Sequence, residues 1–453
     1  MEINTAIVAG TGKSGISATK LLVNHGVKVY LFDENKDRDI EAIKEKTGDS
    51  ELVQIELGEL GEDALSSSQL MVISPGIPVD APFTDVVRNA GIPIWSEIEL
   101  AYHYGKGKIA AITGTNGKTT TTALVGEIVK AHNAKTIVVG NIGIPYTELC
   151  DTTDDDSDTV AEISSFQLET VIDFHPNVSA ILNLTPDHLN RHYTFENYGN
   201  VKFSITKNQT MDDVTVLNYD DEHTRAMGEK AKDHCHVVYF SRLEKPAGGV
   251  YVEDGDIILE DGDKKINVLA IKDLKLMGAH NVENVLAAVG ISYYMGVPVD
   301  VIRDVATSFK AVAHRIEYVD TIDGVAYYND SKGTNPDAAI KGIQAMVAPT
   351  FLIGGGYDKG SEYDEWIEAF DGKVKWLVLI GQTAQKIADC AKRHGFNSII
   401  FEENLQDAVA YCHENALDGD AVLLSPACAS WGQFDNYEQR GDMFKEYVRS
   451  YKE

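Results

Sequence analysis

The stretch KIAAITGTNGKTTTTALVGEIVKAHN (108–133) runs a short β-rich segment into a glycine turn and then into a helical segment. That order constrains the fold of the 453-residue chain more than any other feature. A strand that feeds a helix through a glycine turn is half of a βαβ unit, and such units build parallel sheets covered by helices. The turn itself is Gly114-Thr115-Asn116-Gly117-Lys118-Thr119-Thr120. It reads as a phosphate-binding loop that lacks its first glycine, since Ile112 stands where G-x-x-x-x-G-K-[ST] has Gly. Lys118 is placed to reach a triphosphate, and Thr119 to offer its hydroxyl to Mg²⁺. The missing glycine makes a generic ATPase or GTPase a poorer match.

A second glycine turn precedes it. Gly10-Thr11-Gly12-Lys13-Ser14-Gly15 matches G-x-G-x-x-G between a strand, TAIVAG, and a helix, SGISATKLLVNHG, that stops at Gly26. Asp33 closes the next strand, VKVYLFD. This is the context of a nucleotide-diphosphate site, in which glycines admit the backbone and the helix N-terminus supplies N–H donors. The motif leaves NAD, FAD and UDP-sugars open. A later strand, LMVISPGIP, ends in the turn Ser74-Pro75-Gly76.

Further strands read TIVVG, TVAEIS, VSAILNL and DVTVLN, and after residue 312 VAYYNDS, TFLIGGG, KWLVLIG, SIIF and AVLLSPA. Alternation with helical segments predicts an α/β fold of three units, 1–96, 97–311 and 312–453. CDTTDDDSD (150–158) reads as an exposed acidic loop. VYVEDGDIILEDGDKKINVL (250–269), with two Asp-Gly turns, predicts a small hairpin sheet inserted in the α/β pattern.

Charge narrows the partners. With 40 Lys and Arg against 70 Asp and Glu, the formal net charge is −30. That argues against nucleic acid and anionic membranes, and obliges any phosphate site to build its own positive potential. Five scattered cysteines without a C-x-x-C fit a reducing compartment rather than a disulfide framework. No segment reaches the ~18 apolar residues of a membrane span. The expectation is a cytoplasmic chain without membrane insertion, acting as a monomer.

The loop GTNGKTT resembles the ATP loop of the Mur ligase superfamily, to which the folylpolyglutamate synthetases also belong. GNIGIP (140–145), EISSFQLE (162–169), LNLTPDHLNRH (182–192), GAHNVENVLAA (278–288), HRIEYV (314–319), YNDSKGTNPDA (328–338), GGGYDKG (354–360) and LLSPACASWGQFDNYEQRG (423–441) extend the likeness over the whole chain. They are most similar to the D-glutamate-adding branch. The resemblance implies a Rossmann-like N-terminal domain, a central P-loop ATPase-like domain with a small β insertion, and a Rossmann-like C-terminal domain. It implies ATP, two Mg²⁺ ions, UDP-N-acetylmuramoyl-L-alanine and D-glutamate as the molecules bound, in peptidoglycan precursor synthesis.

Site roles follow from the same resemblance. Lys118, Glu162, His188 and Lys202 are the implied catalytic set, with Thr119, Glu162, His188 and a carbamylated Lys202 as metal ligands. ATP falls to Gly114, Thr115, Asn116, Gly117, Lys118, Thr119, Thr120, Asn281, Asn284, Arg315 and Asp330. The UDP-precursor falls to Gly12, Lys13, Ser14, Asp33, Ser74, Pro75, Gly76, Asn141 and His188. D-Glutamate falls to Lys332, Thr334, Lys359, Ser430 and Tyr437, in a C-terminal domain that binds the amino acid and closes the site. Without the resemblance, Lys202 reads as a surface lysine, and His188 with His192 at i,i+4 suggests zinc with no convincing third ligand. An NAD-dependent oxidoreductase would explain the first loop but leave GTNGKTT unused, and a regulatory or transport NTPase would leave the remaining motifs unused.

Overall fold

In the computed structural model, which describes residues 3–141, 143–276, 278–310 and 313–452, the expected α/β alternation forms three sheets. The first contains β1 (Thr5–Ala9), β2 (Lys28–Asp33), β3 (Val53–Leu57), β4 (Leu70–Ile73) and β5 (Ile94–Ser96). It is parallel throughout, in the order β3-β2-β1-β4-β5. Ala6, Ile7, Val8 and Ala9 of its central strand are completely buried, as expected of a strand covered on both faces. Each large aliphatic in such a position contributes about 1.5–3 kcal/mol.

The second sheet holds β6 (Lys108–Thr113), β7 (Ile137–Gly140), β8 (Asp158–Glu162), β9 (Val178–Ile181), β10 (Val214–Asn218), β11 (His236–Ser241), β12 (Gly249–Glu253), β13 (Asp256–Asp261) and β14 (Lys264–Ala270). Its order is β14-β13-β12-β11-β10-β9-β6-β8-β7. The two hairpins expected from the Asp-Gly turns are present, with Asp254 and Gly255 both at positive φ. They do not make a separate sheet, however. β12 pairs parallel to β11 through Phe240 with Val250 and Ser241 with Tyr251, so the insertion lengthens the central sheet. The acidic segment 150–158 also departs from expectation. Cys150, Ser157 and Asp158 are buried, and only its middle is exposed.

The third sheet contains β15 (Glu317–Ile322), β16 (Val325–Asn329), β17 (Thr350–Gly354), β18 (Val374–Leu379), β19 (Ile399–Phe401) and β20 (Ala421–Leu424). The order is β15-β16-β20-β17-β18-β19. Only β15 is antiparallel, turned back by Asp323 and Gly324 at positive φ.

The chain divides into two compact units, Met1–Leu274 with Glu283–Ser308, and Lys275–Val282 with Phe309–Glu453. The first two sheets therefore share one unit. A single apolar cluster runs from Ala6, Val8 and Leu22 through Trp95 and Leu100 to Ile109, Ala161 and Leu184. Buried Glu97, just after β5, ties the two together by accepting from the Thr147 amide at 2.7 Å and hydroxyl at 2.9 Å, while that hydroxyl also reaches Ser17 at 2.8 Å. The expected boundary at 311/312 lies outside the described residues.

Candidate active site

In an open parallel sheet the loops at the carboxyl ends of the strands are where ligands are held. In each sheet, motifs singled out in the sequence leave from those ends.

In the first sheet, β1, β2 and β4 are neighbours, and from their ends come Gly10–Gly15, Asp33 and Ser74–Gly76. Gly10 has φ +102°, and a Cβ there would lie 2.6 Å from Ser74 Oγ. Gly15 allows a closer approach still, since its Cβ would fall 1.8 Å from Gly10 O. Helix Lys13–Asn24 has Gly12 at its N-cap and no side-chain cap, which leaves first-turn amides available to an anion. Asp33 braces the turn, accepting at Oδ2 from the Thr11 amide at 3.1 Å and hydroxyl at 2.6 Å, with Arg38 at 3.3 Å. Burial pushes the Asp33 carboxyl up, but the Thr11 and Asn35 hydrogen bonds and Arg38 outweigh it and hold the group below its ordinary value. The oxygen that a dinucleotide ribose would take is thus occupied by the loop itself, which counts against the NAD reading. Lys13 donates to Gly143 O. Together with Lys20 and Lys46 it lines a cavity of about 620 Å³ that also meets Glu148 and Asp151.

The phosphate loop leaves β6, between β9 and β8. Gly117 is the N-cap of helix Lys118–His132, at φ 84°, again without a side-chain cap. Neutral side chains brace this loop. Asn183 accepts from the Asn116 amide at 2.8 Å and donates to its carbonyl at 3.1 Å. Thr115 Oγ1 bonds Thr185 O at 3.1 Å and meets the Tyr198 hydroxyl at 3.2 Å. Asn284 accepts from Thr121 at 3.3 Å, and a Cβ on Gly117 would lie 2.3 Å from its Oδ1. Asn284 thus lies under the loop. Asn281 is buried and falls in the other compact unit.

Two lysines converge on one carbonyl of this loop. Lys118 Nζ donates to Gly114 O and Thr115 O, both at 2.8 Å. Lys202 Nζ donates to Gly114 O at 3.0 Å and lies 3.4 Å from Thr113 Oγ1. Lys202 is 1% exposed, so the surface reading is wrong. The reason is tertiary: helix Phe195–Phe203 is laid against the loop, with Lys202 Nζ 4.7 Å over the Tyr198 ring. Burial, and then the Lys118 ammonium, hold the Lys202 amine well below its ordinary value, while Asp187 and Glu162 offset them only in part.

Glu162 ends β8, 2% exposed, and accepts from the Asn141 side chain at 3.0 Å. His188 has left-handed backbone (φ 52°) and a ring against Phe166, with Asp187 3.4 Å from Nε2. His192 is buried, 3.0 Å from Ser165 Oγ. The metal-capable clusters among the described residues include neither histidine, so the zinc alternative finds no third ligand. Arg191 carries this segment to the first sheet's loops, gripping Glu169 at 2.6 and 3.1 Å and donating to Ile77 O at 2.8 Å. Thr119 is half-buried and Thr120 buried on the first turn of the helix.

In the other unit, β16, β20 and β17 are parallel neighbours. Their ends supply Asp330–Thr334, Ser425–Ser430 and Gly355–Lys359. Asp330 accepts from Ser425 at 2.7 Å and from the Ile316 amide at 3.3 Å. Burial raises its carboxyl to about 6 against the pull of Arg315, whose buried Nε has no hydrogen-bond partner among the described residues. Lys332 lies over the Tyr437 ring at 5.8 Å and Lys359 over Trp431 at 5.1 Å. Tyr357 bridges to Ala429, beside Ser430. Thr334 closes its turn on Lys332 O at 2.8 Å. Buried Arg440 joins the Ser331 and Cys428 loops, bonding Ser331 Oγ at 2.9 Å, Ser331 O at 2.7 Å and Cys428 O at 3.2 Å.

Family models match in the same three parts: a MurD-like Mur ligase N-terminal domain over residues 4–96, a Mur ligase middle domain over 112–292, and a Mur ligase glutamate ligase domain over 314–428. A Lachnospira eligens protein named UDP-N-acetylmuramoylalanine–D-glutamate ligase is 55% identical over 450 residues, 99% of each chain. The chain belongs to the Mur ligase family. A Lachnoclostridium phytofermentans protein of the same name is 51% identical, over 99% of this chain and 98% of its own. Among solved folds, the Thermotoga maritima MurF ligase in complex with ADP is 16% identical with a TM-score of 0.58, covering 98% of this chain and 95% of that one.

Sequence reasoning passed over several residues of these candidate loops. Asn183, Asp187, Tyr198 and Arg440 lie inside or near quoted motifs, yet none was singled out. Asn183 and Tyr198 act on a loop 67 and 83 residues away. The only local signal was their place at strand ends or in polar runs beside apolar ones.

Proposed function

We propose that this Mur ligase joins D-glutamate to the free carboxylate of UDP-N-acetylmuramoyl-L-alanine, at the expense of ATP, in peptidoglycan precursor synthesis. Residues 1–96 take the UDP end of the precursor, 97–311 take ATP, and 312–453 take the amino acid. The observation that carries this reading is the convergence of Lys118 and buried Lys202 on Gly114 O, beside Glu162. In a chain with net charge −30, the Lys118 ammonium stands at an uncapped helix start.

Carboxylates are poor electrophiles and repel a triphosphate. The amides of Gly114–Thr120 and the Lys118 ammonium hold the phosphates and stabilise charge as the γ-phosphoryl moves to the precursor carboxylate. An acyl phosphate and ADP result. The neutral amine of D-glutamate then attacks the acyl carbon, and phosphate leaves with the bonding pair. Lys332 and Lys359, with Thr334, Ser430 and Tyr437, are suited to the two carboxylates of that substrate. Ser74, Pro75, Gly76, Lys13, Ser14 and Asn141 extend the precursor site.

The donor set fits Mg²⁺: Glu162 is a buried carboxylate, Thr119 a hydroxyl at the helix start, and His188 an exposed ring. When bound, Mg²⁺ would neutralise phosphate charge and polarise the phosphoryl group. Lys202 fits a carbamate for a specific reason. Only an uncharged amine adds CO₂ (R–NH₂ + CO₂ → R–NH–COO⁻ + H⁺), and burial beside Lys118 favours that form.

The test is phosphate release with ATP, Mg²⁺ and the muramyl precursor against a panel of L- and D-amino acids. Stimulation by D-glutamate above the others is expected. Equal stimulation by all, or none, would remove the assignment.

A further inference from the structure

We infer that Asp364, Cys390 and His394 form a Zn²⁺ site on the outer helices of the C-terminal sheet, with Glu368 orienting the histidine. Their ligand atoms all lie within 4.8 Å of one another. Helix Ala384–Arg393 presents Cys390 and, at its C-cap, His394 one turn further on; helix Asp364–Glu368 presents Asp364 and Glu368 at the same i,i+4 spacing. Residues four apart share a helix face, so the two pairs are set to face each other.

The histidine is already aimed. Its Nε2 lies 2.8 Å from Asp364 Oδ1. Its Nδ1 lies 3.7 Å from Glu368 Oε1. Without metal the ring's hydrogen bond is from Nε2 to Asp364; Zn²⁺ would replace that proton, and Glu368 stands near enough to Nδ1 to take the Nδ1–H once Nε2 is a ligand. One sulfur, one imidazole nitrogen and one carboxylate oxygen suit Zn²⁺ rather than Mg²⁺, with a fourth position for water. Binding exchanges the thiol proton for the metal: Cys–SH + Zn²⁺ → Cys–S–Zn⁺ + H⁺. Arg393 competes for Asp364 Oδ1 at 3.5 Å, but its side chain is 60% exposed and free to swing away.

A second cluster shows the contrast. Glu99, His103 and Asp173 are as close, but the Glu99 carboxylate already accepts the amides of Ile172, Asp173 and Phe174 at 2.7–3.0 Å. At Asp364 no backbone amide competes in this way among the described residues. The site would clip the two helices together five residues after Lys359, steadying the loop proposed to meet D-glutamate.

The experiment titrates Co²⁺, then Zn²⁺, into the full chain stripped by chelator, with Mg²⁺ in excess to fill oxygen-only sites. One equivalent of Co²⁺ should give thiolate charge-transfer absorption and tetrahedral ligand-field bands, both erased by Zn²⁺, and Zn²⁺ should raise Tm. Cys390→Ser and His394→Ala should abolish the bands, Glu368→Gln should weaken binding about tenfold, and Arg393→Ala should tighten it. Because His394 is exposed, its variant decides the matter even if Cys390→Ser folds poorly. Absence of a thiolate band, or a band that survives in His394→Ala, would overturn the site. Neither result bears on phosphate release, so this inference and the ligase reading fail separately.

Discussion

The two glycine loops of the first unit solve the same problem with opposite charge. Both hang on a buried parallel strand, both open a helix whose first turn has no side-chain cap, and both need positive φ at a glycine. The first is braced by a carboxylate, Asp33, which lowers the potential its own helix start provides. The second is braced by the neutral amides of Asn183 and Asn284, and Lys118 and Lys202 both donate to its Gly114 carbonyl. Helix N-termini are worth only about half a charge. An acidic brace suits the loop proposed to anchor a diphosphate, and a neutral one suits the loop proposed to bring a triphosphate against a carboxylate.

The comparison breaks first at Lys118. Lys118→Ala is expected to lower ligation about 10²–10³-fold, while precursor affinity, read by calorimetry, stays within about threefold. Undiminished turnover would mean the second loop does no chemistry. Next comes Lys202→Ala, which should cost about 10²-fold and recover in part when short-chain carboxylates are added. Full activity without supplement removes the carbamate from the account.

The first loop gives smaller effects. Asp33→Ala removes charged hydrogen bonds worth about 1.5–3 kcal/mol each. The precursor KM should rise about tenfold with kcat nearly unchanged; a rise in the ATP KM instead would show that the loops are not separable. The smallest effect is one of pH. The folded Asp33 carboxyl sits below its ordinary value, so its brace is fully present above about pH 3.9 and is lost as pH falls through the folded value. The amide braces of the other loop do not titrate there. Between pH 5 and pH 3, hydrogen-exchange protection at the Thr11 amide should fall a few-fold more than at Asn116, and equal losses would erase the distinction.

Much of this was visible along the chain. Both loops, their flanking strands and helices, and the Asp-Gly hairpins rest on neighbouring residues. What was missed was long-range. Lys202 meets a carbonyl 88 residues away. Asn183 braces Asn116 from the next strand end. The hairpins extend the central sheet because Val250 and Tyr251 find β11, and Glu97 joins two sheets into one unit by reaching Thr147. Asp323-Gly324, as plain a turn signal as the others, joins β15 to β16; β15 was missed, and it is the antiparallel edge strand of the third sheet.

The order strand, glycine, helix was enough to place two cradles suited to phosphate along the chain, because such a cradle is made of consecutive backbone amides at a helix start. Only the tertiary structure decided how each loop is braced and that Lys202 is a buried amine rather than a surface ammonium. Burial and proton affinity are set by atoms brought together from distant segments, and one residue's letter carries no record of them.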